Sequence, residues 1–289
     1  MELFRDVSVS YAGSTVGAPS MSPVSERCEL NGRPAQAEDL RSLALFNYGH
    51  FTSMQVQRRA VRGLDLHMAR LDQATRELFG GPLDTDVVRG YMRRIVGDED
   101  ASLSLRINVF SRQMLRDRLA QPAEPDVLAT TGAARQVDAT PLRLKTFRHE
   151  RVLPHIKHVG TFGLFHHQRL AQLQGFDDAL FVDAGDTVSE GSIWNIGFFD
   201  GSSVVWPDAP MLAGISMQLL QKGLRERGIP TVSRRIARAD LAQYRSAFFT
   251  NSACAVRPVM AIDATSFAAD ADLTAELEAC YAANPWQPI

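Results

Sequence analysis

Residues 157–199 are the most informative stretch of the chain and read KHVGTFGLFHHQRLAQLQGFDDALFVDAGDTVSEGSIWNIGFF. The stretch opens with Lys157, and apolar residues then keep helical spacing up to Gly175, which predicts a helix that ends at this glycine. The β-rich runs that follow predict antiparallel strands joined by Gly, Asp and Ser turns. Glu190 stands where a turn enters an apolar strand, and a carboxylate there costs free energy unless it is paired. An exposed turn residue is the alternative for Glu190.

Amine chemistry has few candidates in this chain, because it contains three lysines, Lys145, Lys157 and Lys222, against 28 arginines. Lys157 lies in HIKHV, between apolar residues and beside two histidines. Apolar surroundings lower the pKa of a lysine and favour the nucleophilic neutral amine. The alternative is a surface lysine whose stem covers apolar neighbours.

The composition is that of a globular protein. The chain has 289 residues, of which 45% are hydrophobic and 22% charged, and its formal net charge is −2. This excludes collagen-like and low-complexity proteins and gives no basis for a nucleic-acid partner. The three cysteines form no CxxC pair, which argues against a zinc site or a disulfide framework, and we predict no metal. We expect a cytoplasmic protein without a signal peptide or membrane span.

The pattern outside residues 157–199 predicts an α+β protein of two domains. Strands and helices do not alternate strictly, which disfavours a doubly wound parallel sheet. Asn31-Gly32 predicts a hairpin turn. Helical spacing of apolar residues starts at Leu64 and predicts a helix with Asp65 as its N-terminal cap and Gly80 at its end. The predicted division is an N-terminal arm at 1–27, a small α/β domain at 28–134, a linker at 135–142 and a large domain at 143–289.

Three further features predict an anion site. Ser216 follows Gly214-Ile215 and is expected to cap a helix, whose first N–H groups attract anions. The run TNSACA, residues 250–255, offers small polar side chains and free amides, and Arg70 lies on the first strong helix. Singly, these features are typical of a plain cap, a polar loop and a solvated arginine. Together with a lysine and a carboxylate they are the parts that pyridoxal phosphate requires.

At this point the order of motifs resembles the fold-type IV pyridoxal-phosphate enzymes, or class IV aminotransferases. That group includes branched-chain and D-amino-acid aminotransferases and aminodeoxychorismate lyase. The resemblance runs from about Leu30 to about Ala264, and residues 157–199 match most strongly. LAGIS resembles the family's L-x-G-I-T, FFTNSACAVRPV its F-x-T strand and loop, and LDLHMARL the helix that carries a phosphate-binding arginine.

The resemblance implies a role for each matching position. Lys157 is implied as the Schiff-base lysine and proton carrier, and Glu190 as the partner of the pyridine nitrogen. The other implied cofactor-binding residues are Arg70, Asn195, Ile215, Ser216, Asn251 and Ser252. The implied fold is a small N-terminal α/β domain with a larger C-terminal α/β barrel-like domain, and the implied assembly is a homodimer.

Departures from the family pattern fall near the substrate. Phe51 and Thr52 stand where the family often has an aromatic residue followed by an acidic one, and Thr52 is typical of some lyase members. Arg112 roughly matches a substrate-carboxylate arginine, although Arg106 and Arg118 are close in sequence. We therefore expect Phe51, Thr52 and Arg112 to bind substrate.

Three hypotheses follow from the sequence. The first is an aminotransferase that acts on small-molecule amino and keto substrates through Lys157. The second is an aminodeoxychorismate-lyase-type β-elimination that releases pyruvate. The third is a protein without catalytic activity that kept the cofactor-binding fold.

Overall fold

The computed structural model of the protein describes residues 26–98, 102–135 and 140–289. The predicted N-terminal arm lies outside these ranges except for residues 26 and 27, and so do residues 136–139 of the predicted linker. No helix in the described ranges is both long enough and apolar enough to cross a bilayer.

A small domain is built on a five-stranded antiparallel sheet. Its strands are β1 (Cys28–Leu30), β2 (Arg33–Pro34), β3 (His50–Val56), β5 (Leu103–Phe110) and β6 (Asp126–Ala133), in the order β2-β1-β6-β5-β3. Helices α1 (Ala37–Phe46), α2 (Leu64–Phe79) and α3 (Thr85–Val96) belong to the same domain. Leu71 of α2 and Met92 of α3 pack with Ile107 of the sheet in one buried apolar core.

Local sequence signals explain several of these elements. Asn31 and Gly32 both have positive φ, 49° and 75°, as the predicted two-residue hairpin turn requires. Gly80 ends α2 in the left-handed conformation, also as predicted. The expected cap at Asp65 is wrong: Gly63 is the N-cap, and Asp65 lies within the first turn. Helix α1 was not predicted.

The barrel domain contains a larger mixed sheet. Its strands are β7 (Leu142–Arg148), β8 (Asp178–Val182), β9 (Val188–Gly191), β10 (Asn195–Phe199), β11 (Val204–Pro207), β12 (Thr231–Arg234), β13 (Ser246–Asn251), β14 (Cys254–Ile262) and β15 (Thr265–Ser266). Strand β9 pairs with both β8 and β10, so the ring β10-β13-β14-β7-β8-β9 is closed. The predicted α+β class, with a small domain and a larger barrel-like domain, is confirmed.

Helices α4 (Phe162–Leu173), α5 (Ile215–Glu226) and α6 (Ala271–Ala282) complete the barrel domain, and short 3₁₀ helices cover Arg116–Arg118 and Arg238–Gln243. The expected cap at Ser216 is wrong, because Gly214 is the N-cap of α5. Its extended backbone starts the helix one residue before Ser216, whose hydroxyl donates to Asn251 O at 2.8 Å instead.

A two-stranded antiparallel sheet joins residues far apart in the chain. Strand β4 (Ala60–Arg62) immediately precedes α2, and β16 (Trp286–Pro288) follows α6. The Arg62 guanidinium lies 4.6 Å from the centre of the Trp286 ring, and Gln287 Nε2 donates to Asp65 at 2.6 Å. Residues after the last helix of the barrel domain thereby hold the start of α2.

Candidate active site

A cavity of about 240 Å³ lies between the small-domain sheet and the barrel. Most of the predicted site residues line it, namely Phe51, Arg70, Lys157, Glu190, Asn195, Ile215, Asn251 and Ser252. Thr52, Ser216 and Arg112 do not line it. The two domains thus meet around most of the side chains that the sequence singled out.

Lys157 reaches the cavity on an extended segment that docks on the start of β3. Phe51 N donates to Lys157 O at 2.9 Å, and Val159 N donates to Gly49 O at 2.9 Å. A side chain at position 49 would not fit, because its Cβ would lie 2.5 Å from Val109 O. Lys157 Nζ lies 5.0 Å from the centre of the Phe51 ring.

Burial and the positive charges of Arg70 and Arg151 together lower the pKa of Lys157 to about 7, against the opposing effect of Glu190. Near neutral pH, a large fraction of the Lys157 amine is therefore neutral. A neutral amine is a nucleophile and can also accept a proton.

Glu190 lies on β9 in the barrel wall and is only 6% exposed. Arg151 Nη1 lies 3.4 Å from its Oε1, and Leu212 N donates to its Oε2 at 3.3 Å. Burial raises the pKa of Glu190, while the charge of Arg151 opposes that rise. On the adjacent strand Asn195 Nδ2 donates to Leu212 O at 2.7 Å, which fixes the loop behind the carboxylate.

The inner end of the cavity is defined here as Arg70, Ile215 and Ser252. Arg70 comes from α2 of the small domain, Ile215 begins α5, and Ser252 follows β13. The first N–H groups of α5 have no partner within the helix, as at every helix start, and they favour an anion. Asn251 Oδ1 accepts from Ala253 N and Cys254 N at 2.9 and 3.0 Å, which shapes the loop around Ser252.

Thr52 does not face the cavity, although we expected it to bind substrate. Neighbouring residues of a strand point to opposite faces, so Phe51 lines the cavity while Thr52 is fully buried against α2. Its hydroxyl accepts a hydrogen bond from Arg70 Nη2 and lies 2.6 Å from His67 Nδ1. Thr52 thus contacts an arginine of the inner end.

The outer end is defined here as Ser104 and Arg106 of β5 together with Arg135, which follows β6, and all three line the cavity. The Arg106 guanidinium lies 3.5 Å from the centre of the Phe51 ring, and its Nε donates to Asn108 Oδ1 at 2.9 Å. Burial lowers the pKa of Arg106 to about 10, and the charge of Arg135 adds to this effect.

Arg112 lies away from the cavity, in an ion-pair network of the small domain. Its Nη1 and Nη2 lie 2.8 and 2.9 Å from carboxylate oxygens of Asp39 and Asp126. Both carboxylates are used in structural contacts, since Asp39 also binds Arg33 at 2.7 Å. The expectation that Arg112 contacts substrate is therefore wrong for this cavity. Arg106, six residues earlier, lines the cavity instead.

Among the cavity residues that we did not assign to the site from the sequence are Arg106 and Arg151. Arg106 had a usable signal, because Ser104 and Arg106 alternate with buried Leu103, Leu105 and Ile107 and so share one face of β5. Arg151 had none, since it lies in a loop without periodicity. In the described part of the chain, no three His, Cys, Asp or Glu side chains are grouped as metal ligands.

Comparison with known families shows which family the chain belongs to. A family model described as amino-transferase class IV matches residues 49–262, which include the whole cavity lining. The chain belongs to the class IV aminotransferase family. No curated protein matches it in sequence.

Solved structures place this member of the family among fold-type IV proteins. A branched-chain aminotransferase from Thermoproteus uzoniensis, solved with norvaline, is 19% identical, with 88% of this chain and 93% of that chain covered and a TM-score of 0.76. The 4-amino-4-deoxychorismate lyase from Pseudomonas aeruginosa is 24% identical, with 87% and 97% covered and a TM-score of 0.73. A hypothetical aminotransferase from Mycobacterium tuberculosis, in its PLP-bound form, is 19% identical, with 90% and 100% covered and a TM-score of 0.75. At these identities the matches establish the fold.

Proposed function

We propose that the chain is a pyridoxal-phosphate-dependent aminotransferase that moves an amino group between a small-molecule amino donor and a keto acid. One observation carries the proposal: a lysine amine with a lowered pKa, a buried carboxylate and a cationic inner end line the same cavity. The lysine suits the aldehyde of this cofactor, the carboxylate suits its ring nitrogen, and the cationic inner end suits its phosphate.

The residues present fit the cofactor. Among the described residues, Arg70 Nε and Thr250 Oγ1 are buried without a hydrogen-bond partner, and both side chains line the cavity. Buried polar atoms normally have partners, so these two indicate a polar ligand. A Cβ at Gly214 would overlap Asn195 Oδ1. Because glycine has no Cβ, the start of α5 can lie close to Asn195 and stay open.

When bound, pyridoxal phosphate supplies an aldehyde that combines with an amine and a pyridinium ring that withdraws electrons from the carbon attached to that amine. Lys157 Nζ removes a proton from the substrate carbon and returns it later, since a pKa of about 7 makes both of its protonation states accessible near neutral pH. The amine is held beside the Phe51 ring by the backbone bond between Phe51 N and Lys157 O.

Glu190 holds the proton on the ring nitrogen. Arg151 and the Leu212 N–H fix its two carboxylate oxygens, so the side chain does not have to reorganise when the ring arrives. Arg70, the first turn of α5 and Ser252 hold the phosphate, with Asn195, Asn251 and Ser216 shaping the surrounding backbone.

The outer end recognises the substrate by charge. Four arginines line the cavity, Arg70, Arg106, Arg135 and Arg151, and among the described lining residues Glu190 is the one carboxylate. The phosphate uses the charge at the inner end, and Arg151 is paired with Glu190. Arg106 and Arg135 are left to bind a carboxylate of the amino or keto substrate, with Phe51 beneath it.

Elimination of the aminodeoxychorismate-lyase type is the alternative, and Thr52 was the residue that favoured it. Because Thr52 is buried behind Phe51, it is not placed to act on a substrate in this cavity. We therefore rank transamination first. Release of pyruvate without a keto-acid acceptor would reverse that order.

The decisive experiment is reduction of the cofactor-loaded protein with borohydride, followed by peptide mapping. Lys145 Nζ lies 2.9 Å from Asp263 and Lys222 Nζ lies 2.8 Å from Glu226, and neither lysine lines the cavity. We expect a single modified lysine, Lys157. Lys157→Ala should lose the trapped adduct, the visible absorbance and transamination.

Lys145→Arg and Lys222→Arg are the matched controls and should retain all three properties. An adduct at Lys145 or Lys222, or transamination by Lys157→Ala, would contradict the proposal. A cofactor that binds to Lys157 but that no amino donor converts to the amine form would support the non-catalytic hypothesis.

We further propose a homodimer. Helix α4 leaves Phe162, Phe165 and Leu173 respectively 79%, 52% and 66% exposed, and Val152 beside it is 78% exposed. Apolar area of this kind is commonly covered by another protein surface.

A further inference from the structure

Three side chains of the small domain form a buried chain of hydrogen bonds behind the inner end: Arg70, Thr52 and His67. We propose that Thr52 and His67 are positioning residues that fix the Arg70 guanidinium for the cofactor phosphate. The inference rests on the proposed function. It also accounts for the buried Thr52, which the substrate-binding prediction did not.

The geometry places the Thr52 hydroxyl between the other two groups. Arg70 Nη2 donates to Thr52 Oγ1, and the same oxygen lies 2.6 Å from His67 Nδ1. Thr52 is fully buried and His67 is 2% exposed. His67 and Arg70 are three residues apart on α2 and share one face of the helix, which faces Thr52 on β3.

The charges around His67 keep its ring able to accept a hydrogen bond. Burial lowers the pKa of His67 far below its usual value, and the positive charges of Arg70 and Lys157 lower it further. The imidazole is therefore neutral. An arginine can only donate, so it uses a lone pair of Thr52 Oγ1, and the hydroxyl hydrogen is free to point to His67 Nδ1. With Arg70 donating to Thr52 and Thr52 donating to His67, each of the two hydrogen bonds has one donor and one acceptor.

A neutral partner has a specific advantage for an anion site. A carboxylate in place of Thr52 would orient Arg70 but cancel its charge, whereas a hydroxyl orients the guanidinium and leaves that charge for the phosphate. Since the hydroxyl is itself fixed by His67, Arg70 is held in one orientation before the ligand arrives. Such preorganisation strengthens binding because less side-chain freedom is lost on association.

The same helix provides a matched control. Thr75 and His50 form a second buried threonine–histidine pair, with His50 Nε2 2.9 Å from Thr75 Oγ1. Thr75 Oγ1 donates to Leu71 O at 2.8 Å, so its two partners are a carbonyl and an imidazole and not an arginine. Removing either threonine hydroxyl disturbs a similar buried site, but only Thr52 contacts Arg70.

The test compares pyridoxal phosphate with pyridoxal, which lacks the phosphate, in Thr52→Val, Thr52→Ser and Thr75→Val. Affinities are measured by reductive trapping on Lys157. Thr52→Val should weaken pyridoxal phosphate by about tenfold, since a hydrogen bond to a charged group is lost, and leave pyridoxal unchanged. Thr52→Ser should restore binding, and Thr75→Val should weaken neither ligand selectively.

His67 is tested in the same way. An asparagine keeps an acceptor near the position of Nδ1, so His67→Asn should bind pyridoxal phosphate nearly as well as the parent, whereas His67→Leu should show the Thr52→Val defect. The double variant of Thr52→Val and His67→Leu should be no worse than either single variant, because both break one chain of hydrogen bonds.

Equal weakening of both ligands by Thr52→Val, or no weakening of either, overturns the inference. If the parent protein traps neither ligand on Lys157, the proposed function fails, and the inference is then decided with inorganic phosphate. Phosphate should raise the thermal midpoint of the cofactor-free parent and of Thr75→Val, but less that of Thr52→Val. An equal rise in all three proteins overturns the inference.

Discussion

The two ends of the cavity use arginine differently. At the inner end, Arg70 is held by the buried Thr52 hydroxyl, and the site is assembled from α2, α5 and the loop after β13, so both domains contribute. At the outer end, Arg106 of β5 lies on the Phe51 ring, and the exposed Arg135 follows β6, so both arginines come from the side of the small domain. A site closed by two domains suits a ligand that stays, whereas a site open on one side suits ligands that exchange. The contrast supports our proposal that the cofactor binds at the inner end and the substrate at the outer end.

Arg70→Met should have the largest effect and tests whether the inner end binds the cofactor phosphate. It removes the guanidinium that faces the phosphate, and we expect pyridoxal-phosphate affinity to fall by about 100-fold, because charge-assisted bonds to phosphate are among the strongest hydrogen bonds. Pyridoxal affinity should change little. At saturating cofactor, the KM for the amino donor should stay close to that of the parent. A large rise in this KM would mean that Arg70 belongs to the substrate site.

Arg106→Met tests the outer end. We expect the KM for a donor that carries a carboxylate to rise about 10- to 30-fold, with cofactor affinity unchanged and little effect on an amine without a carboxylate. Steady-state kinetics with the two donor classes measure the difference. Arg112→Met is the matched control: its ion pairs are with Asp39 and Asp126, so its KM should equal that of the parent. If Arg112→Met raised KM and Arg106→Met did not, the assignment of the outer end would be wrong.

The pH dependence of Lys157 sharpens the comparison further. Its pKa of about 7 predicts that the rate at which cofactor-free protein combines with pyridoxal rises about tenfold per pH unit below 7 and levels off above it. Arg70 lowers this pKa more than Arg106 does. Removing a positive charge raises the pKa of an amine, so the midpoint should move up more in Arg70→Met than in Arg106→Met. Stopped-flow absorbance measures it, and a midpoint near 10 in the parent would refute the buried-amine interpretation.

Much of the fold follows from local signals. Helix α3 (Thr85–Val96) starts at a local signal, because Asp84 caps it and accepts from Asp86 N and Val87 N at 3.0 Å. The Asn31-Gly32 turn also needs nothing beyond its own residues. Tertiary contacts decided the rest. Ser216 has the chemistry of a cap, but its hydroxyl bonds Asn251 O from a distant strand.

The site residues were predictable where the order of motifs along the chain was enough. They were not predictable where the outcome depends on which face of a strand a side chain occupies. Lys157, Glu190 and Arg70 lie around one cavity, as their order along the chain indicated. Thr52 and Arg112 were assigned to the substrate by position alone. Strand alternation turns Thr52 away from the cavity, and nearby carboxylates hold Arg112 elsewhere. Arg151 reaches Glu190 from a loop, and no sequence pattern specifies such a contact.

Strand β4, which precedes the helix that carries Arg70, has consequences for the order of synthesis. Arg62 of β4 binds the carbonyl of Ala282, 220 residues further along, and β4 pairs with β16. At roughly 5–20 residues per second, a ribosome needs about 10–45 s to make the intervening chain. Until Ala282 and β16 have been made, the start of α2 lacks these contacts, even after the small domain has been synthesised. We therefore expect cofactor loading at the inner end to follow translation of both domains.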